Sequence, residues 1–315
     1  LISIKLKKTI HSLTLMRMII QKTTFIYMQV AEYLPKFLKK HKIINFLILF
    51  KLQKKLIKLK FNGNSHNFIS LADPEPRNAF IHQVFELDFF KIAENFMPEN
   101  GTFFDIGANV GFCTFGLVNK RPNASFHLFE ANIQLINLLN SSKELHSKIE
   151  IFLNHCCIGN SPGTSFFKVS EDQSGQSHVS KTVENLQVPN CMLDKYCEEQ
   201  KISTVDFAKI DIEGYELPAL KGWSKKLSNH SIRIIHIEII PENQSRYGFN
   251  TSAPLLYLES FGYELFLYKN DDFKIFDGTP KLEIGRSKQI PLLKFEASKY
   301  PFSHATDVLA LSPLQ

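Results

Sequence analysis

The stretch that most constrains this chain is Thr102 to Gly111, Thr-Phe-Phe-Asp-Ile-Gly-Ala-Asn-Val-Gly. An apolar run ends in a turn carrying Asp105, Gly107, Asn109 and Gly111, and a second apolar run, Phe112 to Val118, has the length and spacing of a helix. A buried strand feeding a helix through such a turn is how an open α/β sheet builds a binding edge. Glycines there admit a ligand close to the backbone and permit turn angles closed to other residues. The dinucleotide pattern G-x-G-x-x-G is absent, so the cradle for a pyrophosphate is missing. Asp105 at the strand end suits instead a phosphate-free cofactor with a cationic amino acid end. S-adenosylmethionine is such a cofactor.

Strand-like and helix-like segments alternate after this point. Continuous apolar strands are expected at 103–106, 125–129, 149–153, 205–210 and 232–240, with further strands at 263–268 and 306–311. Helices are expected at 79–96, 112–119, 133–139, 192–199, 216–227 and 254–261. This pattern predicts an α/β domain with a mostly parallel sheet, helices on both faces and an antiparallel edge formed by the late strands. Two shorter strands, at 156–158 and 164–169, flank a Gly/Pro turn, and 170–180 reads as a polar, mobile loop able to close over a substrate. The predicted organisation is a basic, helical N-terminal extension over 1–62, a boundary loop over 63–78 and the main domain over 79–315.

Further acids fall at strand ends. Glu130 ends the second strand, 25 residues after Asp105, near the spacing expected of an acid that accepts from both ribose hydroxyls. Asp211 and Glu213 follow the strand 205–210, in Lys-Ile-Asp-Ile-Glu-Gly. They are candidates to orient a cofactor, act as a base toward a hydroxyl or hold a cation, and the plain alternative is an acidic helix start. Glu216 reads as an acid of that helix's first turn. In the strand IRIIHIEII, alternation puts His236 and Glu238 on one face; Glu238 is the substrate-side candidate and His236 a structural residue.

Charge is divided unevenly. Residues 1–60 hold 14 lysines and arginines against one acid, Glu32, while the remainder hold 23 against 30 acids. The basic character therefore belongs to the extension. Its segment 43–61 is too short an apolar run to span a bilayer, but lysines among large aliphatics suit a helix on an anionic membrane surface. The alternative is a helical cap on the domain. No nucleic-acid module is recognisable, so no nucleic-acid partner is expected. Five cysteines without ligand spacing read as free thiols of a reducing compartment, with no metal site and no disulfide framework. No secretory signal is legible, and the expected location is cytoplasmic or peripheral at a membrane.

Taken in order, FFDIGANVGFCT (103–114), HLFEANIQLINLLN (127–140), LNHCCIGNSPGTSFF (153–167) and VDFAKIDIEGYELPALKG (205–222) resemble the FkbM family of S-adenosylmethionine-dependent methyltransferases. The resemblance covers about 80 to 311. It implies a class I methyltransferase-like, Rossmann-like fold with a seven-stranded sheet whose last strand is antiparallel. It also implies O-methylation of a small hydroxylated molecule, a sugar or a lipid-linked glycan. Asp105, Gly107, Asn109 and Gly111 would form the cofactor loop, Glu130 would hold the ribose, and Asn154 would lie near the adenine. Asp211, Glu213 and Glu238 are the catalytic candidates. Ala131 departs from the family, which commonly has Pro there. Two competing readings are a non-catalytic membrane-surface protein on the same fold and an NAD(P)-dependent oxidoreductase.

Overall fold

The computed structural model describes residues 56–170, 173–182, 186–275 and 290–313. Residues 1–55, which hold most of the predicted extension and its membrane-facing segment, lie outside them. The first described elements are strands β1 (Leu56–Phe61) and β2 (Ser65–Ser70), which pair antiparallel as a hairpin. These are corrections: 56–61 was expected to be helical, and 63–78 to be a loop. In β1, Ile57, Leu59 and Phe61 are buried while Leu56, Lys58 and Lys60 are exposed, a period of two that a helix does not satisfy. In β2 the inward residues include Ser65 and Asn67. Ser65 Oγ donates to the Gly116 carbonyl (3.1 Å) and Asn67 Nδ2 to that of Val110 (3.2 Å), so the hairpin is bonded to the glycine loop and the helix after it.

The predicted helix 79–96 is two helices, α1 (Pro74–His82) and α2 (Leu87–Phe96). Asp73 caps α1, with Pro74 in its first turn. Gln83 (φ 57°) and Glu86 (φ 29°) take left-handed backbone angles between the helices and break the run without a glycine or proline to announce it.

The main sheet contains β3 (Thr102–Ile106), β4 (Ser125–Glu130), β5 (Glu150–His155), β10 (Phe207–Ile210), β11 (Ile234–Ile239), β12 (Glu264–Leu267), β13 (Leu293–Phe295) and β14 (Thr306–Leu311), in the order β13-β12-β14-β11-β10-β3-β4-β5. The five strands β5, β4, β3, β10 and β11 are parallel; β14 pairs antiparallel with both β11 and β12. This is the class I methyltransferase sheet, extended at one edge by the three-residue strand β13. From β3 the chain moves outward through β4 and β5, then returns to lay β10 on the other side of β3. The carboxyl ends of β3 and β10 thus form the topological switch point, where an open α/β sheet binds its ligand.

Both sheet faces are covered, which is why the central strands are apolar throughout. On one face Phe103 and Phe207 meet Phe89 of α2 and Phe126 meets Phe103; on the other Phe104 stacks on Trp223 with ring centroids 5.3 Å apart. Helix α3 (Phe112–Leu117) follows the glycine loop and α4 (Ile133–Glu144) follows β4. After α5 (Leu193–Glu199), the expected helix 216–227 is α6 (Glu216–Lys221) and α7 (Ser224–Ser228). It breaks at Gly222, where a Cβ would sit 2.1 Å from the Gly159 carbonyl oxygen.

A second sheet joins β6 (Cys157–Ile158), β7 (Thr164–Lys168), β8 (His178–Ser180) and β9 (Leu186–Cys191) in the order β6-β9-β7-β8. The predicted mobile loop 170–180 therefore includes a strand, preceded by a short 3-10 turn at Ser174–Gln176. Ser177 Oγ accepts from the Ser170 amide (3.0 Å), and Tyr247 Oη donates to the Val179 carbonyl (2.7 Å). Among the described residues no helix is long and apolar enough to cross a membrane.

Candidate functional site

A cavity of about 340 Å³ opens over the switch point. Its floor is the loop after β3. Gly107 (φ +82°) is forced by packing as well as by its backbone angle: a Cβ there would lie 1.9 Å from the Asp211 carbonyl oxygen. Only glycine lets the β3 and β10 loops touch. The Gly107 and Ala108 amides both donate to the Phe129 carbonyl, at 3.0 and 3.1 Å. Gly111 (φ +81°) starts α3, where a Cβ would meet the Phe115 ring at 2.4 Å. Gly107 and Asn109 line the cavity, whereas Gly111 sits behind it.

Asp105 also stands behind the loop. It is 1% exposed, and its Oδ2 accepts from the Thr114 amide (3.2 Å) and hydroxyl (2.7 Å), while Oδ1 has no partner among the described residues. Burial raises its carboxyl pKa, against the nearby Lys209 charge and the Thr114 bonds. Asp105 is not among the residues of the cavity wall, and its visible contacts fasten the first turn of α3 to β3.

Glu130 does reach the cavity. It is 6% exposed; Oε2 accepts from the Asn109 amide (2.8 Å) and Oε1 from the Asn132 amide (2.7 Å). Burial pushes its carboxyl up to about 7, and these backbone bonds oppose that rise. Asn154 does not reach the cavity. Its amide donates to the Leu128 carbonyl (3.0 Å) and the Tyr196 hydroxyl (3.3 Å), which hold it on the sheet. Cys156, Cys157 and Ile158 line the wall in its place, with Ala131, Phe167 and Val179 beside them.

The opposite wall comes from β10 and β11. Lys209, 9% exposed, donates to Asp211 Oδ2 at 2.8 Å. Burial disfavours its charge, but Asp211, Asp105 and Glu86 more than offset that and hold it a firm cation. Glu238 hydrogen-bonds Asp211; the Asp211 carboxylate, and then burial, push the Glu238 carboxyl strongly upward, so Glu238 keeps its proton at neutral pH. Glu213 (φ 59°) also lines the cavity and accepts from Asn243 Nδ2. Burial, with Asp211 and Glu216 nearby, lifts it to about 8. Glu216 is buried below, accepting from the Ile212 (3.2 Å) and Gly214 (3.1 Å) amides and from Gln244, and so folds the turn that presents Asp211 and Glu213. His236 is 1% exposed; its Nε2 bonds the Tyr268 hydroxyl at 2.7 Å and its ring packs edge-on against Phe89. Burial lowers its pKa to about 4, so it is a neutral residue of the core.

Sequence reasoning missed Glu75, Glu86 and Ser174, all in the cavity wall, and gave Lys209 no role. Asn109 Nδ2 donates to Glu75 (3.1 Å), Ser174 Oγ to Asn109 Oδ1 (2.6 Å), and the Ser174 amide to Asp73 (2.8 Å). These bonds join the α1 cap, the glycine loop and the 3-10 turn at the cavity rim. Burial is the first cause raising the carboxyls of Glu75 and Glu86. More than a third of each residue's surface is open, so solvent weakens that effect. Asp-Pro-Glu-Pro, read as part of a loop, carries the N-cap and first-turn proline that signal a helix start; its place over a loop more than 30 residues later has no local signal. Among the described residues no cluster of His, Cys, Asp or Glu is arranged to hold a metal ion.

Residues 105–265 match the Methyltransferase FkbM domain, half of the chain, and the chain belongs to that family. A similar protein is the hexuronic acid methyltransferase AglP of Haloferax volcanii, 23% identical over 152 residues, which are 48% of this chain and 62% of that protein. The match thus spans under two thirds of that relative. Methyltransferase 1 of Beauveria bassiana is 23% identical over 216 residues, 61% of this chain and 83% of that protein. Among solved structures, precorrin-6y C5,15-methyltransferase from Geobacter metallireducens shares 10% identity, with a TM-score of 0.39 over 72% of this chain and 88% of its own. TrmK of M. capricolum, in complex with S-adenosyl-homocysteine, shares 11% identity, with a TM-score of 0.37 over 72% and 68%. Residues 105–265 thus carry the domain of a family of S-adenosylmethionine-dependent methyltransferases.

Proposed function

We propose that this FkbM-family methyltransferase methylates a hydroxyl oxygen of a small molecule, a sugar or a glycolipid. The observation that carries the reading is Lys209, Asp211 and Glu238, joined by hydrogen bonds in the same cavity as the glycine loop and Glu130. The relative named for hexuronic acid supports a sugar acceptor.

The donor set fits S-adenosylmethionine. Glu130, its oxygens fixed by two backbone amides, has lone pairs left for two ribose hydroxyls. Ala131, Cys157 and Phe167 offer an apolar wall suited to adenine. Gly107 and Asn109 border the space for the amino acid end, and the acids around them favour its cationic groups. When bound, this cofactor supplies an electrophilic methyl for in-line attack by the acceptor oxygen.

The chain's own residues do the rest. The acceptor hydroxyl must lose its proton as it attacks, and Asp211 receives it. Lys209 stabilises the Asp211 carboxylate from one side, and Glu238 hydrogen-bonds it from the other. Base assistance of this kind gives roughly 10²–10⁴-fold. Holding the reacting atoms in register contributes further. Glu213 lies one turn away and shapes the acceptor's seat.

The test separates binding from chemistry. Asp211→Asn should bind S-adenosylmethionine within about threefold of wild type by calorimetry, while single-turnover transfer falls roughly 10²–10⁴-fold. Undiminished transfer would remove Asp211 as the base. Residues 1–60 we assign to a peripheral contact with anionic membrane, through their 14 basic residues. Co-sedimentation with anionic liposomes at low salt should be lost when residues 1–55, which end before β1, are deleted; full-length protein staying in the supernatant would end that assignment.

A further inference from the structure

Two cysteines meet beside the cavity. Cys156 directly precedes β6, and Cys191 ends β9. The two strands pair parallel, with Ile158 opposite Cys191. Side chains two residues apart along a strand share a face, which puts Cys156 on the same side as Ile158 and Cys191. The packing agrees. Cys156 and Ile158 belong to the main core, with Cys191 packed against it, whereas Cys157 turns to the other side, among Ala131, Phe167 and Val188. The Cys156 and Cys191 thiols hydrogen-bond one another, and both are free.

The two members differ. Cys156 is 8% exposed, while Cys191 is half-buried and reachable from solvent. Cys156 donates its S–H, which keeps its own proton in place and favours the thiolate of Cys191; Lys195 adds to this, against burial and Glu199. The thiolate is the nucleophilic form of cysteine, and a second thiol in contact captures what oxidation makes of the first. Cys156 is also tied to the cavity. It stands in the wall, and its amide donates to the Glu130 carbonyl at 3.1 Å. Movement of Cys156 therefore reaches the proposed ribose acid and, through Cys157, the apolar wall beside it.

We infer that Cys191 and Cys156 form a peroxide-oxidised pair whose disulfide weakens cofactor binding. The Cys191 thiolate attacks one oxygen of the peroxide and the O–O bond breaks. The other oxygen leaves as hydroxide or alkoxide and takes a proton from water, and Cys191 becomes a sulfenic acid. The Cys156 sulfur then attacks the Cys191 sulfur. The S–S bond forms, the S–O bond breaks, and the hydroxyl leaves as water with the Cys156 proton. The two thiols have lost two electrons to the peroxide. A disulfide sets its sulfurs about 2.05 Å apart, inside hydrogen-bonding separation, so Cys156 is drawn toward β9 and away from its place against Glu130. The pairing stands apart from the methyl-transfer reading; its effect on the cofactor rests on the seat assigned to Glu130 and Cys157.

Hydrogen peroxide on the full chain is the probe. Of the five thiols, the two bridged should be lost and three remain titratable in denaturant. A peptide map should show Cys156 joined to Cys191, reversed by dithiothreitol. By calorimetry, S-adenosyl-homocysteine affinity should fall about tenfold on oxidation and return on reduction. By linkage, saturating S-adenosyl-homocysteine should then raise the reduction potential of the pair by about 30 mV. Cys191→Ser, which lies outside the cavity wall, should keep its affinity through the peroxide treatment. If that variant does not fold, the wild-type map and affinities still decide. Five thiols retained, sulfinic acid without a bridge, a bridge to another cysteine, or a Cys156–Cys191 bridge at unchanged affinity overturns the inference. No binding by the reduced chain would count against the cofactor seat instead, and the map would still decide the pairing.

Discussion

Glu130 and Glu238 end neighbouring regions of one sheet and face one cavity, yet they are held in opposite ways. Glu130 meets two backbone amides, one on each oxygen, so its position is set and its charge is supported. Glu238 meets another acid, Asp211, which drives a proton onto it. The contrast separates binding from chemistry. An acid pinned by donors is suited to hold hydroxyls in a fixed place. An acid whose proton affinity is raised by a neighbouring acid is suited to hold a proton beside it, and Lys209 is bonded to that neighbour, Asp211.

Asp211→Asn, with its expected loss of roughly 10²–10⁴-fold in transfer, is the largest way to break this comparison. Glu130→Ala comes next. It removes acceptors for two hydroxyls and loosens Asn109, so cofactor affinity should fall about 10²–10³-fold by calorimetry, with the circular dichroism spectrum unchanged. Unaltered affinity would take the ribose role from Glu130.

The pH dependence of stability sharpens the same contrast. Glu130 lies near 7 when folded and near 4.5 when unfolded. A raised folded value means stability present below pH 4.5 and lost as pH rises through 7. The loss for the cofactor-free protein is of the order of 3 kcal/mol. Glu216, also lifted to about 7, adds to it. Urea titrations of Glu130→Gln and Glu216→Gln should each show a shallower fall between pH 5 and 8 than wild type; an identical fall in both variants would contradict these assignments. The smallest effect belongs to Glu238→Gln. An amide copies the protonated acid's donor, so transfer should change by less than about fivefold at neutral pH. A loss as large as that of Asp211→Asn would make Glu238 the base.

How much of this was legible depends on where the information lay. Strands β3, β10 and β11 were readable because both of their faces are buried and their residues are apolar throughout. The hairpin was not, because Lys58 and Lys60 between aliphatics drew attention to charge and away from the alternation. β2 further hides its inward face behind Ser65 and Asn67. The eighth strand, β13, is three residues long and leaves too little pattern to read. Glu130, Asp211 and Glu238 were readable as acids at the rim of the strands. For Asp105 and Asn154 the places along the strands were readable, while the turn of their side chains to Thr114 and Tyr196 was not. Glu75 and Glu86 became cavity residues only through the packing of α1 and α2, which no local pattern records.

The central claim is that this cavity places a methyl group on oxygen. Incubating the full chain with S-adenosylmethionine labelled with carbon-13 at the methyl, together with a hydroxylated acceptor, tests it most directly by nuclear magnetic resonance of the product. A methoxy resonance that is absent for Asp211→Asn is the expected result; label on nitrogen or carbon, or a methoxy signal undiminished in Asp211→Asn, would contradict the account.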